Sequence, residues 1–275
     1  MMVRTLLLLA IVAADASAHG LVDDQINQLT LSIGRNSENA ALYVKRGELH
    51  RQHRDWESAL ADFDRAIHLD PGAAVAALGR ARVAIDRGLL ADAERLLDNF
   101  LASGPASEVG LVLRAEVRDR LGRFNAAASD YAAAIRISRD PRIEYYLGQA
   151  ESLSRANEDE AAQAAADAGI ARLGQLAVLE QWSIESLVRQ RRWDEALSRL
   201  DRMLSEAPRK ETGLTRRAEV LASAGRVSEA RTAFEAARLA WDMLPERLRS
   251  TKAMLSLRTR IDSGIGGATG SLAKR

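Results

Sequence analysis

Three of the chain's four histidines, His50, His53 and His68, sit in one stretch, HRQHRDWESALADFDRAIHLDP. Imidazoles this close raise two chemical readings, metal ligation and proton transfer. On a helix, His50 and His53 share one face. Two imidazoles alone do not complete a zinc or copper site. The remaining donor is His19, which cleavage of a leader after Ala18 would turn into an N-terminus carrying a free amine and a ring. A copper-associated reading therefore rests on His19, His50 and His53. The favoured reading makes His50 a hydrogen-bonded imidazole within a helix, and no metal or other cofactor is expected.

Other reactive groups are sparse. The chain has no cysteine, no HExxH, no GxSxG and no phosphate-binding glycine loop. Carboxylates at Asp62 and Asp64, and at Glu158, Asp159 and Glu160, read as helix solubility and turn chemistry. The expectation is a non-catalytic protein. Among the basic residues only RQRRW, residues 189–193, is a local cluster, and elsewhere arginines alternate with acids. Nucleic acid is accordingly not an expected partner.

The bulk composition points to helices. Of 275 residues, 47% are hydrophobic but only 4% aromatic, with alanine and leucine dominating. Such a mixture suits close-packed helices better than sheets, which favour β-branched and aromatic side chains. The 39 basic and 38 acidic residues leave a formal charge of +1. The opening MMVRTLLLLAIVAADASAHG has Arg4, an apolar run from Leu6 to Ala14, and small residues at Ala16, Ser17 and Ala18. This pattern predicts a secretory leader over residues 1–18 and a periplasmic or secreted protein. No integral membrane span is expected after leader cleavage.

A period of 34 residues organises the rest. Trp56, Ala59, Phe63, Ala66 and Pro71 recur as Leu90, Ala93, Leu97, Phe100 and Pro105. Phe124, Ala127, Tyr131 and Ala134 continue the series, as do Trp193, Ala196, Leu200 and Met203, then Val227, Ala230, Phe234 and Ala237. Each period holds two helical stripes around a short turn. Small residues recur in first helices (Gly47, Ala81, Ala115, Gly148, Ala218). Gly88, Gly122 and Gly225 suit the positive φ of the turn. Between Phe124 and Trp193 one extra residue enters, and the unit there is the faintest copy, with no aromatic after its turn and Gly169 late in its second helix. It is the expected soft joint.

These residues resemble the tetratricopeptide repeat family from Ala40 to about Ala240. The resemblance implies an all-α, right-handed superhelical α-solenoid of antiparallel helix pairs. Six hairpins are expected over 40–244, behind an N-terminal extension and capping helix over 19–39 that carries Ile26, Leu29 and Ile33. A C-terminal capping helix is expected over 245–262, with Leu248, Met254, Leu255 and Leu257 covering the sixth unit, and a frayed glycine-rich tail over 263–275. The resemblance further implies a partner-binding inner surface on the first helices. Its expected residues are Val44, Glu48, Arg51 and Gln52; Leu78, Arg82, Ile85 and Asp86; Val112, Glu116, Asp119 and Arg120; Tyr145, Gln149 and Ser152; Gln181, Glu185, Val188 and Arg189; and Thr215 with Glu219. The mixed charge and moderate apolar content suit a protein or peptide ligand. A clamp for a C-terminal carboxylate is disfavoured in repeat one, where Glu48 opposes an anion.

Overall fold

The computed structural model describes residues 22–272 except 105, 175 and 176, with side chains to residue 267. The expected leader, His19 and Pro105 lie outside the described residues. All regular structure among the described residues is helical. Helix α1 covers 22–35. Six sequential pairs follow: α2 (Ala40–Gln52) and α3 (Trp56–Leu69), α4 (Ala74–Asp86) and α5 (Leu90–Ser103), α6 (Glu108–Arg120) and α7 (Phe124–Ile137). Then come α8 (Ile143–Arg155) and α9 (Asp159–Leu173), α10 (Ala177–Arg189) and α11 (Trp193–Glu206), α12 (Glu211–Ser223) and α13 (Val227–Asp242). Short α14 (Glu246–Arg249) and long α15 (Lys252–Leu272) complete the series.

The chain divides into two compact units between Glu158 and Asp159, inside the fourth repeat. Within the first, each helix from α2 to α8 packs on the next in sequence, and within the second the same holds from α9 to α13, with α15 against α12 and α13. Helices of this length are marginal alone in water, so neighbour packing holds them.

Every first helix ends alike. The turn residue takes a positive φ: Arg54 60°, Gly88 74°, Gly122 75°, Asn157 61°, Arg191 59° and Gly225 75°. Its N–H donates three residues back and the following N–H five back, as from Arg191 to Val188 (3.1 Å) and from Arg192 to Leu187 (2.9 Å). These bonds satisfy carbonyls that the helix end leaves open and reverse the chain. The glycines meet the expectation; Arg54, Asn157 and Arg191 hold the same conformation despite a β-carbon.

The positive-φ positions also locate the extra residue. They are 34 apart except from Gly122 to Asn157, which is 35. Residues 138–142 link α7 to α8 where 104–107 link α5 to α6, one residue fewer. The fourth repeat is therefore shifted: its small first-helix residue is Ala150, not Gly148, and Ala162 joins the second-helix series. Gly148 instead receives the Tyr131 ring, which a β-carbon there would approach to 2.5 Å.

The interior follows the small-and-bulky alternation. Ala59, Ala93, Ala127, Ala162, Ala196 and Ala230 are at most 1% exposed and let paired helices approach. Phe63, Leu97, Tyr131, Leu200 and Phe234 fill the space between pairs, each contributing about 2 kcal/mol of burial. In the fourth repeat this place falls to Ala166, and Gly169 follows, both buried. Trp56 and Trp193 pack against the cores of their units. At the N-terminal end, Ile33 of α1 joins Tyr43 and Phe63.

The C-terminal end corrects the sequence expectation. Residues 263–272 are not a frayed tail, because α15 runs unbroken to Leu272. Gly264 is the reason: a β-carbon there would stand 2.3 Å from the Phe234 ring, so only glycine lets α15 seat on α13. Leu257 and Ile261 are buried with Trp241, whose indole N–H donates to the Met254 carbonyl at 2.9 Å. Leu255, expected in this cover, is 53% exposed, since the inward stripe runs through 254, 257, 261 and 265.

Charged pairs knit the helices further. Arg46 forks onto Asp62 (2.8 and 2.7 Å), and Arg114 onto Asp130 (2.9 and 2.7 Å) while also reaching Asp98 at 2.8 Å. Arg118 adds bonds to Glu94, Asp98 and Asp130. Asp62, Glu94 and Asp130 are buried. Asp62 is thus a cross-helix anchor rather than a solubilising carboxylate, because the helical period turns it toward Arg46; Asp64 is exposed and meets Arg80 at 3.2 Å.

Candidate groove sites on the first-helix faces

Each unit carries a groove. In the first, a groove of about 640 Å³ lies among α1, α2 and α4. Leu29, Val44, Leu49, Phe63 and Val75 give it apolar surface, and Gln25, Gln28, Ser32, Lys45, Glu48 and Arg82 supply polar groups. In the second, one of about 470 Å³ lies among α10, α11, α12 and α15. Ile184, Leu200, Met203 and Leu204 line it with Gln181, Glu185, Arg209, Arg216 and Arg260. Apolar lining with a few polar groups is the usual make-up of a ligand site.

The expected inner-surface residues divide in three ways. Val44, Glu48 and Arg82 line the first groove, and Gln181 and Glu185 the second. Arg51, Gln52, Ile85, Asp86, Glu116, Asp119, Arg120, Gln149, Val188, Arg189 and Glu219 reach solvent wholly or in part. Leu78, Val112, Tyr145, Ser152 and Thr215 are buried and do not belong to an accessible face. Leu78 and Val112 point between neighbouring helices into the cores. Tyr145 donates its O–H to Glu108 at 2.6 Å and accepts from Arg142 Nε at 3.0 Å. In the fourth repeat the positions equivalent to Val44, Glu48, Arg51 and Gln52 are Leu147, Glu151, Ser154 and Arg155; the expected Tyr145, Gln149 and Ser152 stand two residues short, and the added link residue accounts for one of the two. The groove residues that sequence reasoning missed include those of α1, Lys45, Leu49 and Val75 in the first unit, and Ile184, Leu204, Arg209, Arg216 and the α15 residue Arg260 in the second; the phase of α1 against α3 was the available signal for the α1 residues.

Electrostatics set what each face offers. Arg51 forks onto Glu48 (2.9 and 2.7 Å) and also donates to Asp86. The Arg51 hydrogen bonds hold the Glu48 carboxyl below its usual range. Arg155 donates to Asp119 in the same manner along the face. Glu116 touches solvent, but neighbouring groups exclude part of its hydration and push its carboxyl up, against the smaller pull of Arg142 and Arg120. In the second unit Arg260 donates Nε and Nη2 to Glu219 (2.9 and 2.6 Å), and Arg209 forks onto Glu211.

The histidines are held apart in function. His50 Nδ1 lies 3.2 Å from Asp55 and its Nε2 4.0 Å from Asp62, while His53 Nδ1 lies 3.6 Å from Asp23. His68 is exposed near the end of α3. Among the described residues no group of three or more His, Cys, Asp or Glu side chains is placed to hold a metal ion. No described helix is long and apolar enough to cross a membrane.

Tandem helix pairs with a shared small-and-bulky interior define the class of α-helical repeat proteins. The sequence profile described as tetratricopeptide repeat matches residues 33–108 and 184–243, and the chain belongs to that family. A search of curated proteins gives no match. Solved structures with a similar fold include a tetratricopeptide repeat protein from Parabacteroides merdae (14% identity, 90% of this chain and 94% of that one, TM-score 0.52). MamA protein is another (18% identity, 63% and 94% coverage, TM-score 0.54). So is the Naa15/Naa10 structure bound to HypK-THB (13% identity, 84% and 36% coverage, TM-score 0.52).

Proposed function

We propose that the chain is an exported, non-catalytic scaffold that holds a peptide or partner protein against its first-helix faces. The observation that carries this reading is the pair of open, partly apolar grooves, one in each unit, lined by first-helix side chains. Extended peptides and amphipathic helices use such surfaces through apolar pockets and a few fixed polar contacts. Family membership supports the same class of role, and the sparse reactive chemistry of the sequence supports a non-catalytic one.

Export is supported by the leader pattern in residues 1–18. Cell fractionation with N-terminal sequencing tests it: the expected product begins at His19 and is found outside the cytoplasm. Binding is tested by placing a photo-crosslinking residue at Gln52 or Gln181, both exposed on first helices, and at Arg95 on α5 as a control. Crosslinks to a discrete partner at the first two positions and not at the third are expected. Equal labelling at all three, or none at either inner position, refutes the scaffold reading.

A further inference from the structure

We propose that the first-unit groove accepts an acidic, apolar segment of a partner protein: a leucine-like or aromatic side chain flanked by aspartate or glutamate. This rests on the scaffold reading above and gives its first-unit site a partner class.

The apolar half of the recognition is the groove itself. Leu29 from α1, Val44 and Leu49 from α2, and Val75 from α4 converge with the edge of Phe63 around about 640 Å³. Val75, at the start of α4, is 58% exposed beside the groove. A partner side chain placed against it would remove that surface from water.

The charged half is a matter of which cations are spent. Several arginines of the first unit are committed to acids: Arg46 to Asp62, Arg51 to Glu48 and Asp86, Arg80 to Asp64, Arg114 and Arg118 to Asp130. Lys45 and Arg82 line the groove and make no hydrogen bond or ion pair among the described residues. The groove's one acid is Glu48, and Arg51 already holds both its oxygens, while Arg82 acts on it only through space and as the smallest of its influences. Arg51 is shared between Glu48 and Asp86, so these three charges together with Lys45 and Arg82 sum to +1. Glu48 offsets the two cations only in part, and the objection it raises against an anionic ligand on sequence grounds is weakened once Arg51 is in place. The surface seen by a ligand is an apolar floor between two uncommitted positive charges. A basic segment would meet repulsion there, and a neutral one would leave the charges unused. The side-chain amides of Gln25 and Gln28 stand on the α1 wall and can meet the ligand's backbone, whereas the Ser32 hydroxyl donates to the Gln28 carbonyl at 2.9 Å.

The test uses the full chain and short synthetic peptides, acetylated and amidated at their ends, read by fluorescence anisotropy. The probe carries a leucine flanked by aspartates; its counterparts replace the aspartates with lysines, or the leucine with serine. The aspartate–leucine peptide is expected to bind about tenfold tighter than the lysine form, the scale of two partly exposed ion pairs, and to weaken as salt rises. The double variant K45Q/R82Q should lose about tenfold in affinity and most of the salt dependence. Val75→Ser, at an exposed position, should weaken binding with the melting curve unchanged. Equal binding of the aspartate and lysine peptides, a preference for lysine, or unaltered binding by a folded K45Q/R82Q variant overturns the assignment. If those results come with inner-face crosslinks at Gln181, only the acidic partner class falls. If crosslinks are also absent at both inner positions, the scaffold reading falls too.

Discussion

Arg191 sits in a turn that its own β-carbon disfavours, and this gives a stability change of predictable sign. Its φ of 59° matches the 74–75° of the equivalent Gly88, Gly122 and Gly225. A non-glycine residue held there costs about 1–2 kcal/mol. Glycine removes that cost but gains freedom in the unfolded chain, offsetting about 0.5–1 kcal/mol. Arg191→Gly should therefore stabilise its unit by about 0.5–1 kcal/mol, while Arg191→Ala, which keeps the β-carbon, should give no gain. The reciprocal change is Gly225→Ala. A β-carbon at Gly225 would meet nothing within 4 Å, so packing contributes nothing and the backbone alone should cost about 1 kcal/mol. Urea unfolding read by tryptophan fluorescence reports on this unit, which holds Trp182, Trp193 and Trp241 of the chain's four tryptophans. The midpoint should rise for Arg191→Gly and fall for Gly225→Ala with the slope unchanged. An unmoved midpoint in Gly225→Ala, or a gain in Arg191→Ala equal to that of the glycine variant, would show that the turn does not strain its residue.

Four further outcomes follow from packing and charge. Asp130→Asn removes the negative charge that Arg114 and Arg118 share and replaces one acceptor oxygen with a donor, and should destabilise the first unit by about 2 kcal/mol in urea unfolding followed by circular dichroism. Gly264→Val forces a side chain into the Phe234 ring and should release α15, seen as faster hydrogen exchange over residues 257–265. Glu116 has a folded-state pKa raised by lost hydration, so its ionisation opposes folding: the first unit gains most below the usual carboxylate range and loses that advantage as pH rises through it to the folded value. Glu116→Gln should raise the melting temperature at neutral pH and leave it unchanged in acid. Glu48, lowered by Arg51, has the opposite sign, and its contribution should vanish as pH falls through its folded value.

The hairpins were legible because their signal is repeated. A single Ala59 or Phe63 carries little weight, but the same types at one interval along six units leave few alternatives. What escaped the sequence was any feature stated only once. The added residue between α7 and α8 shifts Ala150 and Ala162 into place, and without a fixed register in this faint copy the expected Gly148, Tyr145, Gln149 and Ser152 fell two residues short of the true positions. Arg54, Asn157 and Arg191 adopt a glycine conformation that hydrogen bonds impose rather than residue type. Asp62 looked solvated because its partner, Arg46, is on another helix. The glycines near residue 264 read as a loose end, since nothing local reveals the Phe234 ring waiting on an earlier helix. For the candidate sites, the sequence placed Glu48 and Arg82 on one face, but only three-dimensional pairing distinguishes a spent charge from an uncommitted one.

The seating of Gly264 on Phe234 means that α15 occupies the place where another copy of the hairpin would otherwise stack. A tandem array without such a terminator presents an apolar end able to recruit a second molecule and grow head to tail. Cutting the chain before Lys252 would strip Phe234, Ala237 and Trp241 of their cover and leave an apolar face open to a second molecule.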